Sequence, residues 1–116
     1  MFRYQIIVEY DGTNHSGWQS QKNAKSIQRE IEKILSKILK IEVNINGSGR
    51  TDAGVHSKNQ SAHFDYKKLI PNKYKLIASV NYFLNKKNIS IKKIIKRNMN
   101  FHARYSAKER EYEYII

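Results

Sequence analysis

The segment from Gly47 to His56 carries the residues of this chain that are best suited to chemistry. It reads Gly-Ser-Gly-Arg-Thr-Asp-Ala-Gly-Val-His, and Asp52 is its only carboxylate. Its three glycines allow backbone angles that other residues avoid and let a ligand approach closely. Arg50 supplies a positive charge that favours the ionised form of a nearby carboxylate. An ionised aspartate on a tight loop is able to act as a nucleophile or as a general base.

The same segment has two interpretations that involve no catalysis. The run from Thr51 to Gly54 fits an Asx-type turn that joins two strands. Its glycines also fit a backbone nest that binds phosphate. It is not a P-loop, because no Gly-Lys-Ser/Thr follows. From the residue chemistry alone the plain turn is the favoured interpretation, and the catalytic aspartate is the alternative.

The elements that must position this segment alternate between strand and helix patterns. Strands are predicted at Phe2–Tyr10, Glu42–Ser48, Asn59–Tyr66 and Ile89–Lys96, with a last strand containing Tyr112 and Tyr114. A first helix is predicted from an N-cap at Ser26, and its apolar residues recur at helical spacing: Ile27, Ile31, Ile34, Leu35, Ile38 and Leu39. Pro71 and Asn72 open a second helix with its own apolar side: Leu76, Ile77, Val80, Phe83 and Leu84.

The order β-α-β-β-α-β predicts an α+β fold of the ferredoxin-like or RRM-like type. In this fold an antiparallel sheet carries both helices on one face. The other face is expected to be free for a ligand, and residues 1–116 are expected to form a single domain. Tyr112 and Tyr114 alternate on one strand and so share a face, which suits either sheet packing or a platform for stacked bases.

Charge indicates the class of partner. The chain has 22 Lys and Arg against 10 Asp and Glu, a net charge of +12. Such a field attracts polyanions, so nucleic acid is the expected partner. Arg29, Lys33 and Lys37 lie four residues apart on the first helix, where they form either a phosphate-binding face or a solvated one.

Several classes of site and compartment are excluded. Cysteine is absent, which excludes disulfides and thiolate metal sites and suits a reducing compartment. The four histidines have no metal-binding spacing, so no metal is expected. No apolar run reaches the length of a membrane span, and the N-terminus lacks a signal-peptide pattern.

The run Gly49–His56 resembles the signature of the TruA family of tRNA pseudouridine synthases, and the likeness extends over nearly the whole chain. Similar family motifs occur in the correct order at Tyr10–Thr13, Gly17–Gln19 with Gln21, Ser26–Gln28, His63–Phe64, Phe101–Arg104, Ser106–Ala107 and Arg110 with Tyr112 and Tyr114. One such motif arises easily by chance, whereas the ordered set does not. The chain is identified on this basis as resembling the N-terminal half of the pseudouridine synthase fold.

The resemblance implies an enzyme that converts uridine to pseudouridine in the anticodon stem-loop of tRNA, at family positions 38–40. It implies that Asp52 is the catalytic nucleophile, that Arg50 helps to place the target nucleotide, and that Tyr112 packs against the target base. Arg104 is a further substrate-binding candidate, with pairing to an acidic residue as its alternative. The family uses no metal and no cofactor, acts as a homodimer, and is cytoplasmic.

Length is the main departure from the family pattern, because members usually have a second, similar half. Nothing in residues 1–116 corresponds to that half. Two other interpretations therefore remain beside the enzyme. One is a non-catalytic RNA-binding fragment, which the charge and the free sheet face favour. The other is a structural or dimerisation half, which an apolar last strand favours.

Overall fold

A computed structural model of the chain describes residues 1–11, 26–47 and 57–103. In chain order these residues form β1 (Phe2–Tyr10), α1 (Ile27–Leu39), β2 (Ile45–Gly47), β3 (Ser57–Tyr66), α2 (Lys73–Leu84), a short 3₁₀ turn (Asn85–Lys87) and β4 (Ile89–Arg97). Each of these strands and both helices were predicted from the sequence, with ends shifted by a few residues. The predicted last strand with Tyr112 and Tyr114 lies outside the described residues.

The four strands form one antiparallel sheet in the order β2-β3-β1-β4. This order follows from two interleaved βαβ units, in which each helix connects strands that are separated by one strand of the other unit. The predicted α+β fold class is therefore confirmed. β1 is a central strand, so its residues contact β3 on one side and β4 on the other.

Both helices begin at the side chains that the sequence indicated. The hydroxyl of Ser26 accepts a hydrogen bond from the backbone N–H of Arg29 at 3.1 Å, and the side chain of Asn72 accepts one from Lys75 at 3.0 Å. These caps satisfy backbone donors that have no partner within the helix. α1 ends where Lys40 adopts a left-handed conformation with φ of 58°.

The apolar core lies between the helices and one face of the sheet. Alternate residues of β1 point into it because side chains of a strand alternate between faces. The ring of Tyr4 stacks on Phe64 with centroids 5.7 Å apart. Both helices bury their predicted apolar sides in the same cluster, most deeply at Ile27, Ile31, Leu35, Val80 and Leu84. The two helices therefore share one face of the sheet, as predicted.

The opposite face is less free than the sequence suggested. Gln5 and His63 point to this face, yet they are only 1% and 2% exposed. Part of the cover is the chain that follows β4, since residues 99–103 bond to Arg3 and His63 on this face. The expectation of an entirely free face is therefore wrong at the end of the sheet where β1 begins.

Within the described residues, neither helix has the length and apolar character that crossing a membrane requires.

Candidate functional site

The four predicted site residues lie outside the described part of the chain. Asp52 and Arg50 fall in residues 48–56, and Arg104 and Tyr112 fall in residues 104–116. Their roles therefore stay predictions. The structure does describe the chain up to Gly47, before the first segment, and up to Ala103, before the second.

The first segment begins beside His63 on the sheet. β2 ends at Gly47, which lies opposite Ala62, and the preceding Asn46 lies opposite His63. Residues that face each other across an antiparallel pair have Cα atoms about 4.5–5.5 Å apart and side chains on the same face. The chain that contains Asp52 thus leaves the sheet one ladder position from His63.

The second segment begins at the same place. The backbone N–H of Ala103 donates a hydrogen bond of 3.1 Å to Nδ1 of His63. Ala103 is fully buried, and Arg104 is the next residue. His63 is therefore a shared reference point: Ala103, just before Arg104, binds its side chain on the face of the sheet that the helices leave uncovered, and Gly47, just before residues 48–56, lies in β2 opposite its neighbour Ala62.

His63 is held in a neutral form at this junction. Burial above all, then the nearby Arg3 guanidinium and the His102 ring, lower its pKa from 6.5 to about 4, against a smaller opposing effect of Asp65. Because Nδ1 accepts a hydrogen bond, the neutral ring carries its proton on Nε2. The ring also meets His102 edge to face, with centroids 4.9 Å apart. This arrangement holds backbone in place and keeps the imidazole uncharged.

Arg3 fixes the same segment from the start of β1. Its Nε and Nη2 atoms bind the two carboxylate oxygens of Asp65 at 2.8 and 3.0 Å. Its Nη1 atom donates to the carbonyl oxygens of Met99 at 2.8 Å and Phe101 at 2.6 Å. The hydrogen bond from Arg3 lowers the pKa of Asp65, so the carboxylate stays ionised and the pair stays charged. Forked pairing of this kind is among the stronger hydrogen bonds in proteins.

A second polar chain crosses the same face. Arg97 donates through Nε to Oε1 of Gln5 at 2.9 Å, and Nε2 of Gln5 donates to the hydroxyl of Ser61 at 2.9 Å. The Arg97 guanidinium also lies 5.4 Å from the centroid of Phe101. These side-chain contacts join β4, β1 and β3 beneath residues 98–103. The segment therefore rests on polar groups whose orientations are fixed by hydrogen bonds to one another.

Sequence reasoning did not single out Arg3, Gln5 or Asp65. Polar residues at alternate positions of a strand usually indicate a solvated face. These three residues fit that pattern, so the sequence alone does not mark them as buried or paired. The signal that was present is complementarity, because Arg3 and Asp65 lie opposite one another in the register of β1 and β3. His63 belongs to the His63–Phe64 motif, and the structure shows that it is fully buried with its Nδ1 hydrogen-bonded.

An open cleft of about 410 Å³ lies at the other end of the sheet. Glu9, Asp11, Lys58 and Asn88 are among its lining residues. The backbone N–H of Asp11 donates to the carbonyl oxygen of Asn88 at 3.0 Å, which ties the end of β1 to the start of β4. The lining mixes both signs of charge, and the cleft adjoins the point where residues 12–25 leave β1.

The basic stripe of α1 is exposed at Arg29, Lys33 and Lys37. The ammonium of Lys37 lies 5.0 Å from the ring centroid of Phe83 on α2. This contact stabilises the lysine on the protein itself, so it favours the solvated interpretation at that position. Within residues 1–11, 26–47 and 57–103, no cluster of histidine, aspartate and glutamate has the grouping of a metal site.

Comparisons with known proteins agree with the motifs. Residues 6–106 match the family model described as tRNA pseudouridine synthase. The chain is 60% identical over its full length to tRNA pseudouridine synthase A of Pelagibacter ubique, covering 47% of that protein. It is 46% identical over 98% of its length to the protein of the same name from Neorickettsia sennetsu, covering 47%. It is also 46% identical over its full length to that of Ruminiclostridium cellulolyticum, covering 46%. The chain thus spans about half the length of these relatives.

Proposed function

Because this chain belongs to the tRNA pseudouridine synthase family, we propose that the protein isomerises uridine to pseudouridine in tRNA, with Asp52 as the catalytic residue. The observation that carries the proposal is the ordered family match over residues 6–106, which includes the Gly-Arg-Thr-Asp-Ala-Gly run. The chain supplies the aspartate-bearing N-terminal part of the enzyme.

The proposed chemistry conserves the atoms of the nucleotide. The N1–C1′ glycosidic bond breaks, the uracil rotates, a C5–C1′ bond forms, and the proton on C5 is lost while N1 gains one. The Asp52 carboxylate, in its ionised form, attacks the nucleotide as the nucleophile, and the bond that it forms breaks again before the product leaves, which regenerates the carboxylate. Arg50 supplies a fixed positive charge two residues away, which favours that form.

The target uridine must leave its stack to meet this carboxylate, since enzymes that act on a base extrude it from the helix. Tyr112 provides the ring on which the everted base stacks, an interaction worth about 1–3 kcal/mol per base. Arg104 contacts the substrate from the segment that starts at Ala103. The structure supports this grouping because the chain enters both segments beside His63.

The substrate proposed here is the anticodon stem-loop of tRNA, at family positions 38–40. The net charge of +12 suits that polyanion. The family resemblance also leads us to propose a cytoplasmic homodimer that uses no metal and no cofactor.

The test compares three forms of the complete gene product: wild type, Asp52→Asn and Glu42→Gln. Asp52→Asn keeps the size of the side chain but removes the charge, whereas Glu42 is an exposed carboxylate just after α1. Pseudouridine in anticodon stem-loops is measured by chemical derivatisation and primer extension. We expect Asp52→Asn to abolish modification and Glu42→Gln to match the wild type. Equal modification by all three proteins contradicts the catalytic role of Asp52.

A second candidate is an RNA-binding module without turnover, which the coverage of about half of each relative favours. For this candidate, salt-dependent tRNA binding would persist in both variants while no protein, including the wild type, formed pseudouridine.

A further inference from the structure

We propose that Arg3 and His63, braced by Asp65, are positioning residues for the reaction. These three residues, called the clasp below, hold residues 99–103 against the sheet and so fix the point from which the chain continues to Arg104. The inference rests on the proposed function. It adds a role for side chains that lie outside the motif loop, one of them at the very start of the chain.

The clasp binds the backbone of the segment at every second residue. Nη1 of Arg3 binds the carbonyl oxygens of Met99 and Phe101, and Nδ1 of His63 binds the N–H of Ala103. These hydrogen bonds are made to backbone atoms, so they fix the path of the chain independently of its side chains. A segment that is held at three successive alternate positions has little freedom to slide along the sheet.

Each binding group is itself held in one orientation. The fork between Arg3 and Asp65 uses two nitrogens and both carboxylate oxygens, which aims the third nitrogen at the segment. His63 lies in the middle of β3, and its ring is wedged against Phe101 and His102. The buried N–H of Ala103 receives its acceptor from a side chain that has lost its own freedom of movement.

The position of Ala103 matters because of its neighbour on the sheet. His63 lies opposite Asn46, and Gly47 is the last residue of β2 before residues 48–56. The clasp therefore sets the distance between the points where the two predicted site segments begin. Misplacement of reacting groups by about 1 Å is able to lower a rate by about 100-fold.

A simpler interpretation is that the clasp only stabilises the fold. The two interpretations differ in what they require of His63. A stabilising role depends on the volume and ring contacts of the side chain. A positioning role depends on an acceptor at the place of Nδ1, and that difference separates them experimentally.

The experiment uses His63→Leu and His63→Asn in the complete gene product. Both variants lose the ring, but the Asn oxygen reaches the place of Nδ1 and restores the acceptor, whereas Leu does not. Initial rates of pseudouridine formation are measured with saturating tRNA, well below the melting temperature, and are corrected for the folded fraction. We expect kcat to fall about 10- to 100-fold in His63→Leu and to recover largely in His63→Asn, with tRNA affinity little changed in both.

A second pair tests the other end of the clasp. Arg3→Lys keeps a positive charge beside Asp65 but cannot form the fork and reach two carbonyl oxygens together. Lys75→Arg makes the reverse exchange at an exposed residue of α2 and serves as its control. We expect a lower kcat for Arg3→Lys and wild-type kcat for Lys75→Arg. Amide hydrogen exchange at Ala103 and Phe101 should be faster in His63→Leu and Arg3→Lys.

The outcomes separate this inference from the proposed function. Wild-type kcat in His63→Leu and Arg3→Lys, with Asp52→Asn inactive, overturns the positioning role and leaves the enzyme assignment standing. Equal losses in His63→Leu and His63→Asn also overturn it, since the acceptor then makes no difference. Activity in Asp52→Asn overturns the proposed function itself.

Discussion

The two faces of the sheet are both partly buried, but different forces bury them. On the helix side, Phe64 lies among apolar side chains and has no exposed surface. On the other side, its neighbour His63 is almost as buried, against the rings of Phe101 and His102, and its Nδ1 accepts a hydrogen bond from Ala103. Adjacent residues of β3 are thus buried in two different environments, an apolar core on one face and a hydrogen-bonded layer on the other.

The difference indicates that the two faces of the sheet have different roles. Burial of apolar area is non-directional and tolerates adjustment, so it favours the fold as a whole. Directed hydrogen bonds are worth little in net stability but are costly when one partner is lost. The polar face is therefore suited to fixing one segment of chain in one place, and the apolar face to holding the sheet and helices together.

The largest effect is expected from breaking the apolar face. Phe64→Ala removes a fully buried ring that stacks on Tyr4, and such truncations cost about 3–5 kcal/mol. Urea unfolding of the purified protein measures the change. Tyr74→Ala, at a ring that is 86% exposed, is the control and should cost less than about 0.5 kcal/mol. Similar losses in the two variants would contradict the placement of the core.

Acid should lower the free energy of unfolding through a buried group of the polar face, His63. Folding lowers the pKa of His63 from 6.5 to about 4, so between these values the unfolded chain binds a proton that the folded chain does not. The stability that neutral His63 contributes is therefore fully present above about pH 6.5. It is lost as the pH falls through about 4, by at most about 1.4 kcal/mol for each pKa unit.

Chemical denaturation at a series of pH values measures this window. His63→Asn should flatten it, because the titrating group is gone. Asp65, whose pKa is also lowered, should add a separate loss below its ordinary value of 3.8. An unchanged slope between pH 6.5 and 4 in His63→Asn would show that other groups cause it.

A smaller effect is expected from cutting the polar chain across the sheet. Gln5→Leu keeps the approximate volume but removes the donor to Ser61 and the acceptor for Arg97. The loss should be about 1–3 kcal/mol, because buried polar groups lose a partner. Adding Ser61→Ala should restore part of it, so the two changes should be non-additive in a double-mutant cycle. Strict additivity would mean that the hydrogen bond between Gln5 and Ser61 contributes nothing to stability.

The elements of the fold were predictable because their signals are local. The caps at Ser26 and Asn72 and the apolar spacing of α1 are properties of short stretches, and both helices form where the sequence indicated. β2 begins later than predicted: of the described residues in the predicted range, Ile45–Gly47 form the strand that pairs with β3. Glu42 has the composition of a strand residue but precedes it.

The clasp was not predictable in the same way, because its signals are distant in sequence. Arg3 and Asp65 are ordinary polar residues of strands until the register of β1 and β3 brings them together. The roles of Asp52, Arg50, Arg104 and Tyr112 come from the family motifs, and they stay predictions. The structure adds how the residues before the two segments relate to β3: Gly47 lies opposite Ala62, and Ala103 binds the side chain of the adjacent His63.

The bond between Arg3 and Phe101 joins residues 98 positions apart, and this separation constrains how the domain is made. β1 leaves the ribosome first, yet both of its neighbours in the sheet are synthesised later, β3 before β4. Chains grow at about 5–20 residues per second, so one side of β1 waits several seconds for its final partner. The guanidinium of Arg3 can bind Met99 and Phe101 only after both have been translated, so this contact forms later than the pairing of β1 with β3 is able to form.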